Sequence, residues 1–154
     1  DKSYDLLTNG YQTEGNVFEL ESVLTREMEK IIRIEIEKYR VNFIDSEEGL
    51  IKSWPNEYHL YGWLICMKSG GELRPHMHEN GWLSGTVYIN VPAKPKLNPE
   101  SGNLVVCIEE KIKEQSVDVI TGTMCLFPAS LLHYTIPFKS TENRIVLAFD
   151  VVPN

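Results

Sequence analysis

The sequence predicts a mainly β domain, a sandwich or barrel of short strands with one supporting helix at its N-terminal end. Past residue 50, aromatic and β-branched stretches alternate with Gly, Pro, Asn and Asp turn signals at close spacing, the pattern of an all-β sandwich or barrel. Before residue 50, the one sustained period is helical. The 154 residues fit a single core. We therefore expect one domain over 1–154, with 1–50 as N-terminal loop and helix and 51–154 as barrel.

In chain order, residues 1–19 place Tyr4, Tyr11 and Phe18 among polar residues and glycines, without a period, and read as loop or short edge strand. From Glu21 to Asn42, Leu24, Met28, Ile31, Ile32, Ile36 and Tyr39 recur at steps of three to four, an amphipathic helix with a solvated charged face. Predicted strands follow at Glu57–Lys68, Leu73–His78, Leu83–Asn90, Gly102–Ile108, Ser116–Val119, Thr123–Phe127, His133–Ile136 and Arg144–Val151. Lys94–Ser101, with Pro95 and Pro99, reads as an exposed connection. No internal repeat or heptad series is present.

Composition narrows the partners. Fifteen basic against 22 acidic residues give a net charge of −7, and no basic stripe exists to neutralise phosphates, so nucleic acid is not an expected partner. No apolar run reaches the ~20 residues of a membrane helix, so a soluble protein without a membrane partner is expected. Cys66, Cys107 and Cys125 are odd in number and set in apolar stretches, which argues against a disulfide framework and for a reducing, cytoplasmic location. The chain opens on Asp1 rather than methionine, which either processing or excision from a longer polypeptide would explain.

The most informative motif is His76-Met77-His78, within Gly70-Gly71-Glu72-Leu73-Arg74-Pro75-His76-Met77-His78-Glu79-Asn80. On a strand, alternate residues share a face, so both imidazoles would point to one cation. His133, in a later apolar segment, offers a third nitrogen. Imidazole suits iron, zinc, copper and nickel alike. The spacing also fits a solvated strand face or a hydrogen-bonded histidine pair.

In order along the chain, Arg74-Pro75-His76-Met77-His78, Leu83-Ser84-Gly85-Thr86-Val87-Tyr88, Gly122-Thr123-Met124-Cys125-Leu126-Phe127-Pro128 running to His133, and Asn143-Arg144-Ile145-Val146-Leu147-Ala148-Phe149-Asp150 resemble the double-stranded β-helix oxygenases that use iron(II) and 2-oxoglutarate. The resemblance covers roughly Trp63 to Pro153. It extends, more distantly, to the aspartyl/asparaginyl β-hydroxylases. It implies a double-stranded β-helix (jelly-roll or cupin-like barrel), iron(II) on His76, His78 and His133, and Arg144 gripping the far carboxylate of 2-oxoglutarate. Independently, a planar guanidinium matches a carboxylate bidentately. Arg144 standing alone would better fit a strand-edge arginine pairing with Glu142 or another surface acid. The activity implied is a non-haem dioxygenase that hydroxylates a small-molecule or peptide substrate while 2-oxoglutarate becomes succinate and carbon dioxide.

One place departs from the pattern. The usual facial triad has two histidines and a carboxylate, whereas His78 occupies the carboxylate's place. Three arrangements remain open: three histidine ligands, Glu79 swung in, or His78 turned away with water in its position. Strand alternation favours His78. Where the β-hydroxylases hold the near carboxylate of 2-oxoglutarate with basic residues, Ser84 and Thr86 stand here, which weakens transfer of their substrate. A cupin pattern competes for the same residues: Gly70, His76 and His78, then Gly122, Pro128 and His133. The cupin glutamate is missing, with Trp82 and Leu83 at its place. The alternative is thus a three-histidine cupin, either a dioxygenase without 2-oxoglutarate or a non-catalytic binding domain. Three histidines and a water would also suit zinc hydrolysis, with Glu79 as the available base.

His59 reads as a strand histidine. Trp54, Trp63 and Trp82 read as core or pocket wall, and Tyr58, Tyr61, Trp82, Tyr88 and Tyr134 are candidate wall residues around the site.

Overall fold

The computed structural model describes residues 6–109 and 113–154; residues 1–5 of the expected N-terminal loop lie outside them. Among the described residues the strands and α-helices are β1 (Leu7–Gln12), α1 (Val23–Asn42), α2 (Gly49–Lys52), β2 (Tyr58–His76), β3 (Leu83–Asn90), β4 (Leu104–Glu109), β5 (Lys113–Val117), β6 (Met124–Pro128), β7 (His133–Thr135) and β8 (Arg144–Pro153), with a 3-10 turn at Val17–Glu19.

The strands follow one hydrogen-bonded path, β5-β4-β7-β2-β8-β3-β6, with β1 added on β2. The path curls because β2 serves two layers. Its first ten residues, Tyr58 to Met67, pair with β8, while Leu73 and His76 pair with β7. Between them lies a bend at Gly70, whose φ of 80° is open to glycine and strained for other residues; its N–H is held by the Phe138 carbonyl at 2.6 Å. One layer is then β2-β8-β3-β6 and the other β5-β4-β7-β2, two four-stranded antiparallel sheets facing each other as a double-stranded β-helix does. Their inner faces share Ile65, Met67, Tyr88, Leu104, Val106, Phe127, Val146 and Ala148.

The outer face of β2-β8-β3-β6 is covered by α1. Ser22 caps the helix, its Oγ accepting from the Thr25 N–H at 3.0 Å. Ile32 and Ile36, both fully buried, pack with Leu60, Leu83, Leu147, Phe149 and Val151. Leu24 and Ile31, read from the sequence as part of that stripe, are instead exposed. The packed line is buried Ile32 and Ile36 flanked by partly buried Met28 and Tyr39, a narrower face than the sequence suggested.

Two sequence expectations change. Glu57–Lys68 and Leu73–His78 are one continuous 19-residue strand, since the glycines between them bend the ladder without ending it. The strand stops at His76, so His78 belongs to a loop. The short helix α2 was not expected; four residues carry too little periodicity to be seen.

Candidate metal centre

The centre begins with a register. His76 on β2 and His133 on β7 are direct cross-strand partners, and such pairs bring side chains on one face into contact. Their ring centroids are 4.2 Å apart. His78 arrives differently, two residues past the strand end. Its backbone N–H donates to the Ala129 carbonyl at 3.0 Å, and its ring centroid lies 5.1 Å from that of His76 and 5.0 Å from that of His133. The three histidines thus come together, with a loop tie holding His78 in place of the strand alternation expected from the sequence. One ring nitrogen from each histidine falls within 4.8 Å of the others.

The free nitrogens can be identified. Nδ1 of His76 is 2.8 Å from the Arg74 carbonyl and Nδ1 of His133 is 3.0 Å from the Leu131 carbonyl. A carbonyl only accepts, so both Nδ1 atoms carry hydrogen and both Nε2 atoms present a lone pair. Nδ1 of His78 is 2.6 Å from Oδ1 of Asp150, with the same consequence. Burial lowers the affinity of His76 for a proton, and burial together with the neighbouring His76 pushes His133 down to about 3. Both rings are neutral at physiological pH, as metal ligation needs. Phe127 packs against His133 at 4.7 Å and Trp63 against His78 at 5.6 Å between centroids, fixing the rings from outside.

The histidines open into a cavity of about 1030 Å³ that Arg144 also lines. Arg144 is only 3% exposed. Its Nε donates to the Gly102 carbonyl at 3.1 Å, and its guanidinium lies over the Tyr88 ring at 5.6 Å. No carboxylate pairs with it among the described residues, Glu142 included. A buried, unpaired guanidinium is costly. An anion in the cavity would relieve that cost. Burial pushes Tyr88 up to about 12 against the opposing influence of the hydrogen bond from Thr86 and of Arg144, so Tyr88 stays a neutral phenol.

Among the wall candidates, Tyr61 and Tyr88 line the cavity, and Trp63 joins them. The other three turn elsewhere. Tyr58 stacks under Arg33 at 4.8 Å, Trp82 donates to the Leu50 carbonyl at 3.0 Å, and Tyr134 donates to Glu114 at 3.0 Å. His59 bonds Asn154 and stays outside the histidine cluster. Glu79 is exposed and is not part of that cluster either. The Leu83-Ser84-Gly85 run has a physical reason at each position: Leu83 is core, Ser84 bonds Asp150, and a Cβ at Gly85 would lie 2.2 Å from the Phe149 ring. Asp150 had no role in the sequence reading. The alternation of β8, which sets it on the same face as Arg144, was the available signal.

Residues 61–150, more than half of the chain, match the model of the family described as "Putative 2OG-Fe(II) oxygenase". No curated protein matches the chain. Among solved structures, HygX from Streptomyces hygroscopicus, with nickel and 2-oxoglutarate bound, superposes with a TM-score of 0.65 at 12% identity, over 96% of this chain and 71% of that one. A prolyl-4-hydroxylase from Pseudomonas putida gives 0.61 at 12% identity, over 94% and 71%. An oxidoreductase of the 2OG-Fe(II) oxygenase family from Burkholderia pseudomallei gives 0.55 at 12% identity, over 66% and 48%. These likenesses show a shared fold.

Proposed function

We propose, from the premise that this chain belongs to the 2OG-Fe(II) oxygenase family, that it hydroxylates a C–H bond of a small-molecule or peptide substrate, with iron(II) on His76, His78 and His133 and 2-oxoglutarate anchored by Arg144. Iron(II) and 2-oxoglutarate are the metal and co-substrate of that family. The observation that carries the reading is one cavity holding three convergent imidazoles and a buried arginine with no acid partner among the described residues. The donor set fits a first-row transition metal and leaves coordination positions open. We read 1–154 as one domain, 1–50 buttressing and 51–154 forming the barrel.

Within this reading the residues divide the work. His76 and His133, locked by backbone carbonyls, hold the metal in fixed orientation. Arg144 would receive the far carboxylate of 2-oxoglutarate with the edge of the guanidinium that Gly102 leaves free. Tyr88, whose oxygen accepts from Thr86 at 2.8 Å, keeps its own proton available to donate into the cavity. Tyr61 and Trp63, with centroids 6.1 Å apart, form the wall where a substrate group would sit. When bound, iron(II) and 2-oxoglutarate supply the oxidation, in which one oxygen atom of O₂ enters succinate, the other the C–H bond, and carbon dioxide leaves.

The test is anaerobic titration of iron-loaded protein with 2-oxoglutarate. A visible metal-to-ligand charge-transfer band is expected, absent in His133→Ala. On admitting oxygen with ascorbate, slow succinate formation is expected even without prime substrate, suppressed by redox-inert zinc. Neither band nor succinate would replace this reading with a three-histidine binding domain of the cupin kind.

A further inference from the structure

The three histidines have unequal backing. Nδ1–H of His76 and of His133 each donates to a neutral backbone carbonyl, whereas Nδ1–H of His78 donates to a carboxylate. His78 stands where a facial triad has its own carboxylate. We infer that Asp150 is a positioning residue that returns the missing negative charge to the centre one shell further out, acting on the metal through His78. The inference rests on His78 being a ligand.

Several features build Asp150 into this place. Strand pairing sets it opposite Ser84 on one side and Tyr61 on the other. Ser84, itself 1% exposed, donates from Oγ to Asp150 Oδ1 at 2.7 Å, so that oxygen is held between a serine and an imidazole. A Cβ at position 81 would lie 3.1 Å from the Asp150 carboxyl carbon, so Gly81 leaves the room the carboxylate occupies. Among the described residues no lysine or arginine pairs with Asp150; its one ionic partner is His78. The side chain is 13% exposed and lines the cavity, where its charge acts most strongly on a positive charge beside it. A divalent cation on His78 provides it. In return an anionic acceptor fixes the tautomer of His78 and raises its basicity as a ligand.

Asp150→Asn separates charge from shape. The amide fits the same space but is neutral, and it can rotate to donate to Nδ1, moving the imidazole hydrogen to the nitrogen that faces the metal. Binding of Co(II), followed by competition and by its visible d–d spectrum, should weaken about 10–100-fold in Asp150→Asn with an altered spectrum, while metal-free thermal unfolding changes little. In a His78→Ala background the same change should have no further effect. His78→Asp with Asp150→Asn, which moves the carboxylate back into contact with the metal, should bind Co(II) better than His78→Asp alone, where two carboxylates face each other. The results that overturn the inference are distinct from those that overturn the ligand assignment. If His78→Ala weakens Co(II) but Asp150→Asn does not, the inference fails and His78 remains a ligand. Equal losses on Asp150→Asn in both backgrounds, or no recovery in the double variant, also remove it. Unchanged Co(II) binding in His78→Ala sinks the ligand assignment and the inference together.

Discussion

The two faces of β8 are built from one strand and do opposite work. Leu147, Phe149 and Val151 point outward and are sealed under α1 with Ile32 and Ile36. Arg144, Val146, Ala148 and Asp150 line the cavity with the histidines. The outer face is all apolar. The inner face has the same alternation, yet carries two opposite charges six residues apart: Arg144, with no acid partner among the described residues, and Asp150, whose ionic partner among them is His78. In the function proposed above, the arginine serves an anion and the aspartate, through His78, a cation.

The sharpest way to break this contrast is to remove a ligand from the inner face. His76→Ala and His133→Ala should each lower metal affinity by more than the about 10–100-fold typical of changes behind a ligand, while leaving a folded barrel. Metal content measured beside thermal unfolding tests this, and a folded variant with normal iron would dismiss the site. The outer face should respond in the opposite sense. Phe149→Ala, at a residue with no exposure, should cost about 3–5 kcal/mol in urea unfolding yet leave metal affinity of the folded protein near that of the parent. Lost metal binding without lost stability would mean the faces are not separable.

This contrast also explains what the sequence disclosed. The helix and the strands were legible because burial of a regular face imposes a period, as at Ile32 and Ile36 or along Leu147, Phe149 and Val151. His76 and His78 stood out by their alternate spacing, His133 by following an apolar segment, and Arg144 through the family resemblance. Two things were not legible. The bend that makes one strand of β2 depends on its pairing with both β7 and β8, a tertiary condition without local signature. Asp150 lies 72 positions from His78, and an aspartate near a strand end looks like any solvated turn residue until the register of β3 against β8 sets it beside Ser84. Of the expected wall tyrosines, Tyr61 and Tyr88 line the cavity, whereas Tyr58 and Tyr134 do not, since they sit on strands but on faces only the register decides.

Arg144 offers a smaller effect with two signs. Arg144→Lys should weaken 2-oxoglutarate binding by about 2–5 kcal/mol with iron binding retained, because an ammonium keeps the charge and loses the fork. Arg144→Met should abolish that binding and make the ligand-free protein more stable by about 1–4 kcal/mol, the range seen when buried charges give way to well-packed apolar side chains. Isothermal titration and urea unfolding read the two quantities separately. A less stable Arg144→Met would mean that the guanidinium is structural, through its bond to the Gly102 carbonyl.

The smallest expected effect concerns protons on the inner face. In the unfolded metal-free chain His133 takes up a proton as pH falls through about 6.5; in the fold, burial and His76 delay that uptake to about 3. Between these values the unfolded state binds more protons, so stability rises with pH across the window and is lost on acidification. From pH 7 to pH 5 the His133 share of that loss is about 2 kcal/mol, and His76, shifted in the same direction by its burial, adds to it. Urea unfolding of metal-free protein at the two pH values, compared with His133→Ala, isolates the contribution, since carboxylates remote from the site titrate alike in both. The variant should lose less stability than the parent on acidification. Equal losses would mean that His133 exchanges protons as freely in the fold as in the unfolded chain, and its ring could not then be the desolvated, neutral nitrogen donor that the register of β2 against β7 builds.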